Sequence, residues 1–306
     1  GDILVTYALS SFVLWFIRNW KARNLLILAT FLILIGSLQN FALKSSLEIA
    51  RDAAEEVKIS ITKGEEVSEE TATWAQVWID YENGYQTERD NIPNEINKKT
   101  SSYASAYEYN LEIANETIYF LIPFFLFLDA LMMMVVGMAL FKLGILDGGR
   151  EIGLYIKMMC IGFLIGLSIN AYEVLLITNS NMGIIETNGY LRFTYHFGRL
   201  FIALGYLGLI IVLIKLRKFS SLKFRLACVG RMALTNYLMH SVIALFIFSG
   251  AGLGLLGKFS WSQLYLIVPL IWALQLYLSP LWLKYFYFGP IEWLWRLLTY
   301  LEIPKM

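Results

Sequence analysis

Three polar side chains stand in the middle of long apolar runs: Asp129, His240 and Gln275. Charge at membrane depth costs a few kcal/mol at least, so each marks a position where chemistry is expected. At ~1.5 Å per helical residue, Asp129 lies about 11 residues, or ~16 Å, into its run. His240 and Gln275 lie about 11 and 12 residues into theirs, so all three fall at similar depth. A carboxylate beside an imidazole is acid–base machinery: Asp129 would orient or charge His240, and Gln275 would complete the hydrogen bonds. The alternative is that each satisfies a different neighbouring helix. Asn236 stands one turn from His240 at i−4, and Arg231 marks the end of the same run. A guanidinium fork there suits the phosphate of a donor arriving from the cytoplasm, or else snorkels to the interface. Asp129 and His240 are thus the catalytic candidates, and Arg231, Asn236 and Gln275 the substrate-binding ones. Glu173 and Arg199, both near one membrane edge, read as an interfacial ion pair.

Other chemistries find little support. Two histidines, His196 and His240, and two cysteines, Cys160 and Cys228, give no metal-ligand spacing and no disulfide framework. The run Gly252-Leu-Gly254-Leu-Leu-Gly257 matches the dinucleotide fingerprint in letters. It lacks the strand–helix setting that gives the fingerprint its meaning, and reads as a tight turn. Gly162 and Gly166 read as a close helix-packing face.

The elements that must position these groups are membrane helices. The chain is 58% hydrophobic and only 16% charged, outside the usual soluble range. Seven apolar runs cover residues 3–17, 25–43, 118–141, 153–178, 197–216, 229–249 and 263–283. Most reach the roughly 20 residues that cross a ~30 Å hydrocarbon core. Residues 45–117 hold 16 acidic and 6 basic residues, whereas the rest of the chain holds 8 and 19. The basic residues fall in alternate connections, which by the positive-inside rule puts residues 44–117 outside and the C-terminus in the cytoplasm. Short basic loops beside anionic lipid argue for topology and against nucleic-acid binding.

The expected fold is an all-α polytopic membrane protein of a bacterial inner membrane, with the lipid bilayer as its first partner. Residues 1–43 would hold two spans, 44–117 a helical extracytoplasmic insertion, 118–285 five more spans, and 286–306 an interfacial helix and tail. In the insertion, Leu47, Ala50, Ala54, Val57 and Ile61 recur at helical spacing, so the second span should continue outward until Lys63-Gly64. Trp74, Trp78, Tyr81 and Tyr85 gather in a short stretch, which reads as packing or as a ligand platform. Gly289-Pro290 should start a short amphipathic helix carrying Trp293, Trp295 and Tyr300. The opening Gly1-Asp2-Ile3, without Met or a charged leader, suggests a fragment lacking N-terminal helices.

Several stretches together resemble the YeiB-like bacterial integral membrane family (domain of unknown function 418). They are 230–238 (GRMALTNYL), 272–275 (WALQ), 279–283 (SPLWL) and 288–296 (FGPIEWLWR). Upstream, Gly1-Asp2-Ile3-Leu4, Tyr81 to Tyr85 with Arg89, Gly137 to Leu140 with Leu143-Gly144, and Leu204-Gly205-Tyr206 follow in the family's order. His240 stands where the family more usually has Gln. The family is similar to transmembrane acyltransferases, and the resemblance implies an acyltransferase-like protein with acyl-CoA as donor. The acceptor would be an extracytoplasmic glycan or a lipid-linked molecule. The proposed catalytic groups of such enzymes lie largely in N-terminal helices not present here. A transporter using the same midplane polar groups, or a non-enzymatic membrane scaffold, are the competing readings.

Overall fold

The computed structural model describes residues 3–180, 183–216 and 219–304. Gly1-Asp2, Arg217, Lys218 and Lys305, which carry part of the sequence argument, lie outside the described residues. Among those described, the secondary structure is entirely helical. Four helices are long and apolar enough to cross a membrane, or up to six if two bent helix pairs each count as one span. Among the described residues these fall on six of the seven apolar runs, and the shorter apolar helix Ile3–Ile17 falls on the seventh.

The chain divides into two compact units, Gly1–Asn91 with Ala114–Leu216, and Ile92–Ile113 with Arg217–Met306. In the first, α1 (Ile3–Ile17) has only 15 residues. Helix α2 (Ala22–Lys63) runs unbroken for 42 residues, ~63 Å at ~1.5 Å each. Its apolar half reads as a span, and its second half carries α3 (Glu69–Asp90) against it. Ala50 and Ala54 pack there on Ala75 and Trp78, with Trp74 and Tyr81 half-buried beside them. Trp74 and Trp78 are therefore packing, while Tyr81 and Tyr85 also line a cavity of about 610 Å³ with Glu88 and Thr187. Ile61, expected on the same stripe, is 72% exposed.

The expected third span is broken. A π-helix (Thr117–Leu126) containing Pro123 precedes α6 (Phe127–Lys142). Proline has no N–H to donate and its ring displaces the preceding turn, which explains a break at that residue. Helix α6 packs on α1 and α2 through Leu131, Val135 and Ala139.

The broadest contact of this unit joins α7 (Ile152–Asn179) to α9 (Tyr195–Lys215). A Cβ added to Gly162 would lie 2.5 Å from the Gly205 nitrogen, and one on Gly208 would lie 2.6 Å from the Tyr155 carbonyl. These backbones touch, as helix pairs do in lipid when small residues line the seam. Between the two helices lie a single turn, α8 (Ile184–Thr187), and a 3₁₀ turn (Gly189–Leu191).

In the second unit, α4 (Ile92–Ser101) and the start of α5 (Tyr103–Glu116) accompany α10 (Ser220–Arg231), α11 (Ala233–Phe248), α12 (Trp261–Trp282) and α13 (Pro290–Tyr300). The expected sixth span breaks at Met232, where α10 and α11 meet at an 81° bend. Helix α12 starts with a capping box, Ser260 N–H donating to Gln263 Oε1 at 2.9 Å. Gly254 and Gly257 have φ of 59° and 76° in the loop before it, so the glycine run is a turn as the sequence suggested. Gly250 N donates there to the Lys99 carbonyl at the end of α4, at 2.9 Å.

Large apolar side chains cover the outside of several of these helices: Leu164 on α7 is 71% exposed, and Leu266 and Leu270 on α12 are each 69% exposed. Contiguous exposed apolar surface of this kind marks a lipid-facing protein.

Candidate functional site

The candidates drawn from the sequence fall in polar clusters among the apolar helices of both units. In the first, Asp129 near the start of α6 receives both arms of Arg199 from α9. Nη1 donates to Oδ2 at 2.8 Å, and Nη2 donates to Oδ1. The fork-on-carboxylate geometry is the strongest ordinary ion pair. The guanidinium also lies 4.6 Å over the Tyr195 ring, and Nη1 donates to the Tyr195 hydroxyl at 3.1 Å. The Tyr195–Arg199 spacing of one helical turn makes that stacking local to α9.

His196, on the same turn of α9, is buried. Its Nδ1 lies 3.4 Å from Asp129 Oδ1 but makes no hydrogen bond. Its Nε2 lies 3.3 Å from Asn40 Nδ2 on α2, and the same Nδ2 donates to the Arg192 carbonyl at 3.3 Å. A carbonyl demands a donor, so Asn40 presents its NH₂ group on this side. His196 Nε2 then accepts, which leaves the ring proton on Nδ1, facing the carboxylate. The imidazole is held beside Asp129 by Asn40, with Nδ1 at 3.4 Å from Oδ1. Gly36 makes room for it, since a Cβ there would lie 2.9 Å from Nε2.

Asp129 and Arg199 lie on the wall of a cavity of about 500 Å³, whose other walls include Ile3, Thr6, Tyr7, Thr117, Ile122, Leu126 and Met133. That volume is within the range of small-ligand pockets. Ile122 and Leu126 come from the π-helix, so the broken segment lines the cavity. A smaller void of about 20 Å³, bounded by Gly36, Asn40, Asp129 and His196, lies behind the carboxylate.

Glu173 does not pair with Arg199 as the sequence suggested. Arg192 donates to Glu173 Oε2 at 3.1 Å, and Thr194 Oγ1 donates to Oε1 at 2.5 Å. The reason is reach: Arg192 and Thr194 precede α9 in the same turn region as the end of α7, while Arg199 lies one to two turns deeper, opposite α6.

The second cluster is neutral. Gln275 Nε2 on α12 lies 2.9 Å from His240 Nε2 on α11 and donates to the Asn236 carbonyl at 3.1 Å. Asn236 Nδ2 donates to the Val229 carbonyl and to Ser279 Oγ, each at 3.1 Å. Arg231 Nη2 donates to the Tyr287 carbonyl at 3.0 Å. The structure thus brings His240, Gln275 and Asn236 together, as expected, while Asp129 takes Arg199 and His196 as its neighbours. His196, Arg199, Tyr195 and Asn40 were absent from the candidates drawn from the sequence. The usable signal was Arg199 itself: a lone Asp and a lone Arg inside apolar runs call for one another.

One further carboxylate joins two elements of the second unit. Glu292 on α13 accepts from Thr235 N at 2.9 Å and from Thr235 Oγ1 at 2.5 Å, and Thr235 Oγ1 accepts from Ile291 N at 3.1 Å. Each residue caps the other's helix, a capping box made between two helices. It supplies a partner for a backbone N–H that the break at Met232 leaves at the start of α11.

The profile of the family described as protein of unknown function, DUF418, matches residues 140–302. The chain belongs to the DUF418 family. The match takes in Arg199, His196 and the whole neutral cluster, with Asp129 upstream of it. The chain is 34% identical over 167 residues to the uncharacterized protein YeiB of Escherichia coli (strain K12), covering 55% of this chain and 43% of YeiB. It is 50% identical over 76 residues to the uncharacterized protein YxaH of Bacillus subtilis (strain 168), covering 25% of this chain and 19% of YxaH. It is 38% identical over 95 residues to an uncharacterized 39.9 kDa protein of Bacillus acidopullulyticus, covering 31% and 27%. The matches span less than half the length of each relative. No solved structure matches the chain.

Proposed function

We propose that this DUF418 protein forms part of a membrane-embedded acyl-transfer site whose acceptor is lipid-linked. The observation that carries this is the Asp129–Arg199 pair on the wall of a mostly apolar cavity of about 500 Å³, whose other polar side chains are the hydroxyls of Thr6, Tyr7 and Thr117. An amphiphile fits such a space: its chain against Ile122, Leu126 and Met133, its hydroxyl against the carboxylate. In the reaction proposed, the acceptor oxygen bonds the carbonyl carbon of an acyl-CoA thioester, its proton passes to Asp129, and the coenzyme A thiolate leaves. His196 and Arg199 hold the carboxylate in position for the approaching hydroxyl. The test is transfer of labelled acyl groups from acyl-CoA by the full-length protein in proteoliposomes. Transfer by the wild type that is lost in D129N supports the reading; no transfer by the wild type ends it.

A transporter is the second reading, favoured by the π-helix at Pro123 lining the same cavity, since broken helices line transport sites. Solute uptake by proteoliposomes without acyl donor would select it. We also propose an inner-membrane topology with residues 44–117 outside and the C-terminus cytoplasmic. Cysteines placed at Ser68 and Ser221 should label from opposite faces; labelling from one face rejects it.

A further inference from the structure

The second unit holds a cavity of about 410 Å³ between α11, α12 and the start of α13. Its walls include Met232, Met239, Leu278, Trp282, Phe286 and Pro290. The polar groups on its surface already have partners: Asn236 bonds Ser279 and the Val229 carbonyl, and Thr235 bonds Glu292. Nothing there calls for a polar ligand, and an apolar cavity does not hold water stably. Left empty, a void of this size would forfeit the packing of its walls. The occupant that fits is hydrocarbon. At roughly 30 Å³ per methylene, about the share of one water in the liquid, the space takes about a dozen carbons. Two methionines in the wall suit a chain of variable shape.

The charge around the mouth names the rest of the molecule. The end of α11 and α12 that bears the cavity carries Lys223, Arg225, Arg231, Lys284 and Arg296 nearby in sequence and a single acidic residue, Glu292, which is buried against Thr235. Arg231 directly precedes Met232, and Lys284 directly precedes Tyr285, which is 74% exposed at the cavity rim. Helix α13 starts at that rim and turns Leu294, Trp295, Leu298 and Tyr300 outward, the pattern of a helix lying in the headgroup layer. Arg231 and Lys284 adjoin lining residues in sequence, and Arg231 Nη2 donates to the Tyr287 carbonyl nearby at 3.0 Å; basic side chains beside an apolar cavity are complementary to an anionic lipid.

We infer that this cavity holds one acyl chain of an anionic phospholipid, with its phosphate against Arg231 and Lys284. The assignment is independent of the acyl-transfer reading. The experiment is photo-crosslinking of the full-length protein with phosphatidylglycerol carrying a diazirine in one acyl chain, followed by peptide mass spectrometry. Labelling of Met239, Leu278 or Trp282, competed by unlabelled phosphatidylglycerol and not by phosphatidylcholine, is expected. In R231Q the yield at those residues should fall about tenfold, and M239W should exclude the chain. Labelling confined to the outward Leu266 and Leu270 overturns the inference, as does equal competition by phosphatidylcholine or an unchanged yield in R231Q. Displacement by lauroyl-CoA but not by phosphatidylglycerol would give the cavity to an acyl donor and overturn the lipid assignment. Because the unaltered protein carries the primary result, the test does not depend on M239W folding.

Discussion

The two polar clusters solve the same problem in opposite ways. Asp129 and Arg199 bring full charges among apolar helices and leave them on the wall of a cavity. Asn236, Gln275, Ser279 and His240 use neutral amide, hydroxyl and imidazole groups that face one another across α11 and α12. A neutral seam ties helices together at little cost, typically well under 2 kcal/mol per contact. A charged pair is expensive to keep in such surroundings and contributes little net stability when complete, while losing one partner is destabilising. A costly arrangement that ends at an open cavity is better explained by binding or catalysis than by holding the fold. On the reading proposed, the charged cluster is the site and the neutral one the scaffold.

The largest expected effect comes from breaking the charged pair. D129N leaves the Arg199 guanidinium without its counter-charge and should cost about 2–4 kcal/mol, at the lower side because Arg199 is 36% exposed. Thermal unfolding in detergent would report it, and D129N/R199Q should recover part of the loss. A double variant no more stable than D129N would mean that the pair is not coupled.

Next is the seam that sets the position of α9 and so of both His196 and Arg199. G162A places a methyl 2.5 Å from the Gly205 nitrogen and should cost about 1–3 kcal/mol by overpacking. A mutant with unchanged melting temperature would show that α7 and α9 can separate freely, and would weaken the account of how Arg199 reaches Asp129.

In the second unit, E292A removes the carboxylate that caps α11 and takes the acceptor from Thr235 N and Thr235 Oγ1, leaving only the bond from Ile291 N to that hydroxyl. A loss of about 1–2 kcal/mol is expected, as for other helix caps. Limited proteolysis should cut between residues 286 and 300 faster than in the wild type. Unchanged proteolysis would show that α13 is held by its apolar face alone.

The smallest effect is expected at the neutral seam. Q275L removes two contacts but leaves Asn236 bonded to Ser279 and Val229, and should cost about 0.6 kcal/mol. A loss matching that of D129N would erase the distinction between the clusters.

The helical class, the apolar spans, the extension of α2 and the short terminal helix from Pro290 were legible because each follows from local composition or from a residue with a fixed backbone preference. The meeting of His240, Gln275 and Asn236 was legible because α11 and α12 are consecutive and the residues lie at similar depth. The breaks at Met232 and across residues 117–126 were not legible: apolar runs look the same whether straight or bent, and Pro123 alone does not specify a π-turn. Asp129 was correctly marked as needing a partner, but depth does not tell which helices are neighbours. Arg199 stands near its run's edge, at a depth like that of Glu173, but Arg192 and Thr194 take Glu173 and leave Arg199 to Asp129. His196 was read only as one of two histidines, because its role depends on Asn40 from a helix more than 150 residues away in sequence.

The most direct measurement compares acyl transfer by D129N and Q275L, each in the full-length protein and normalised to folded protein. If the charged pair is the site and the neutral seam the scaffold, D129N falls by on the order of 100-fold or more, the scale of a lost acid–base group. Q275L should stay within about threefold, because its loss of under 1 kcal/mol leaves the cavity wall intact. Wild-type transfer that survives in D129N, or that is lost equally in Q275L, would contradict the account.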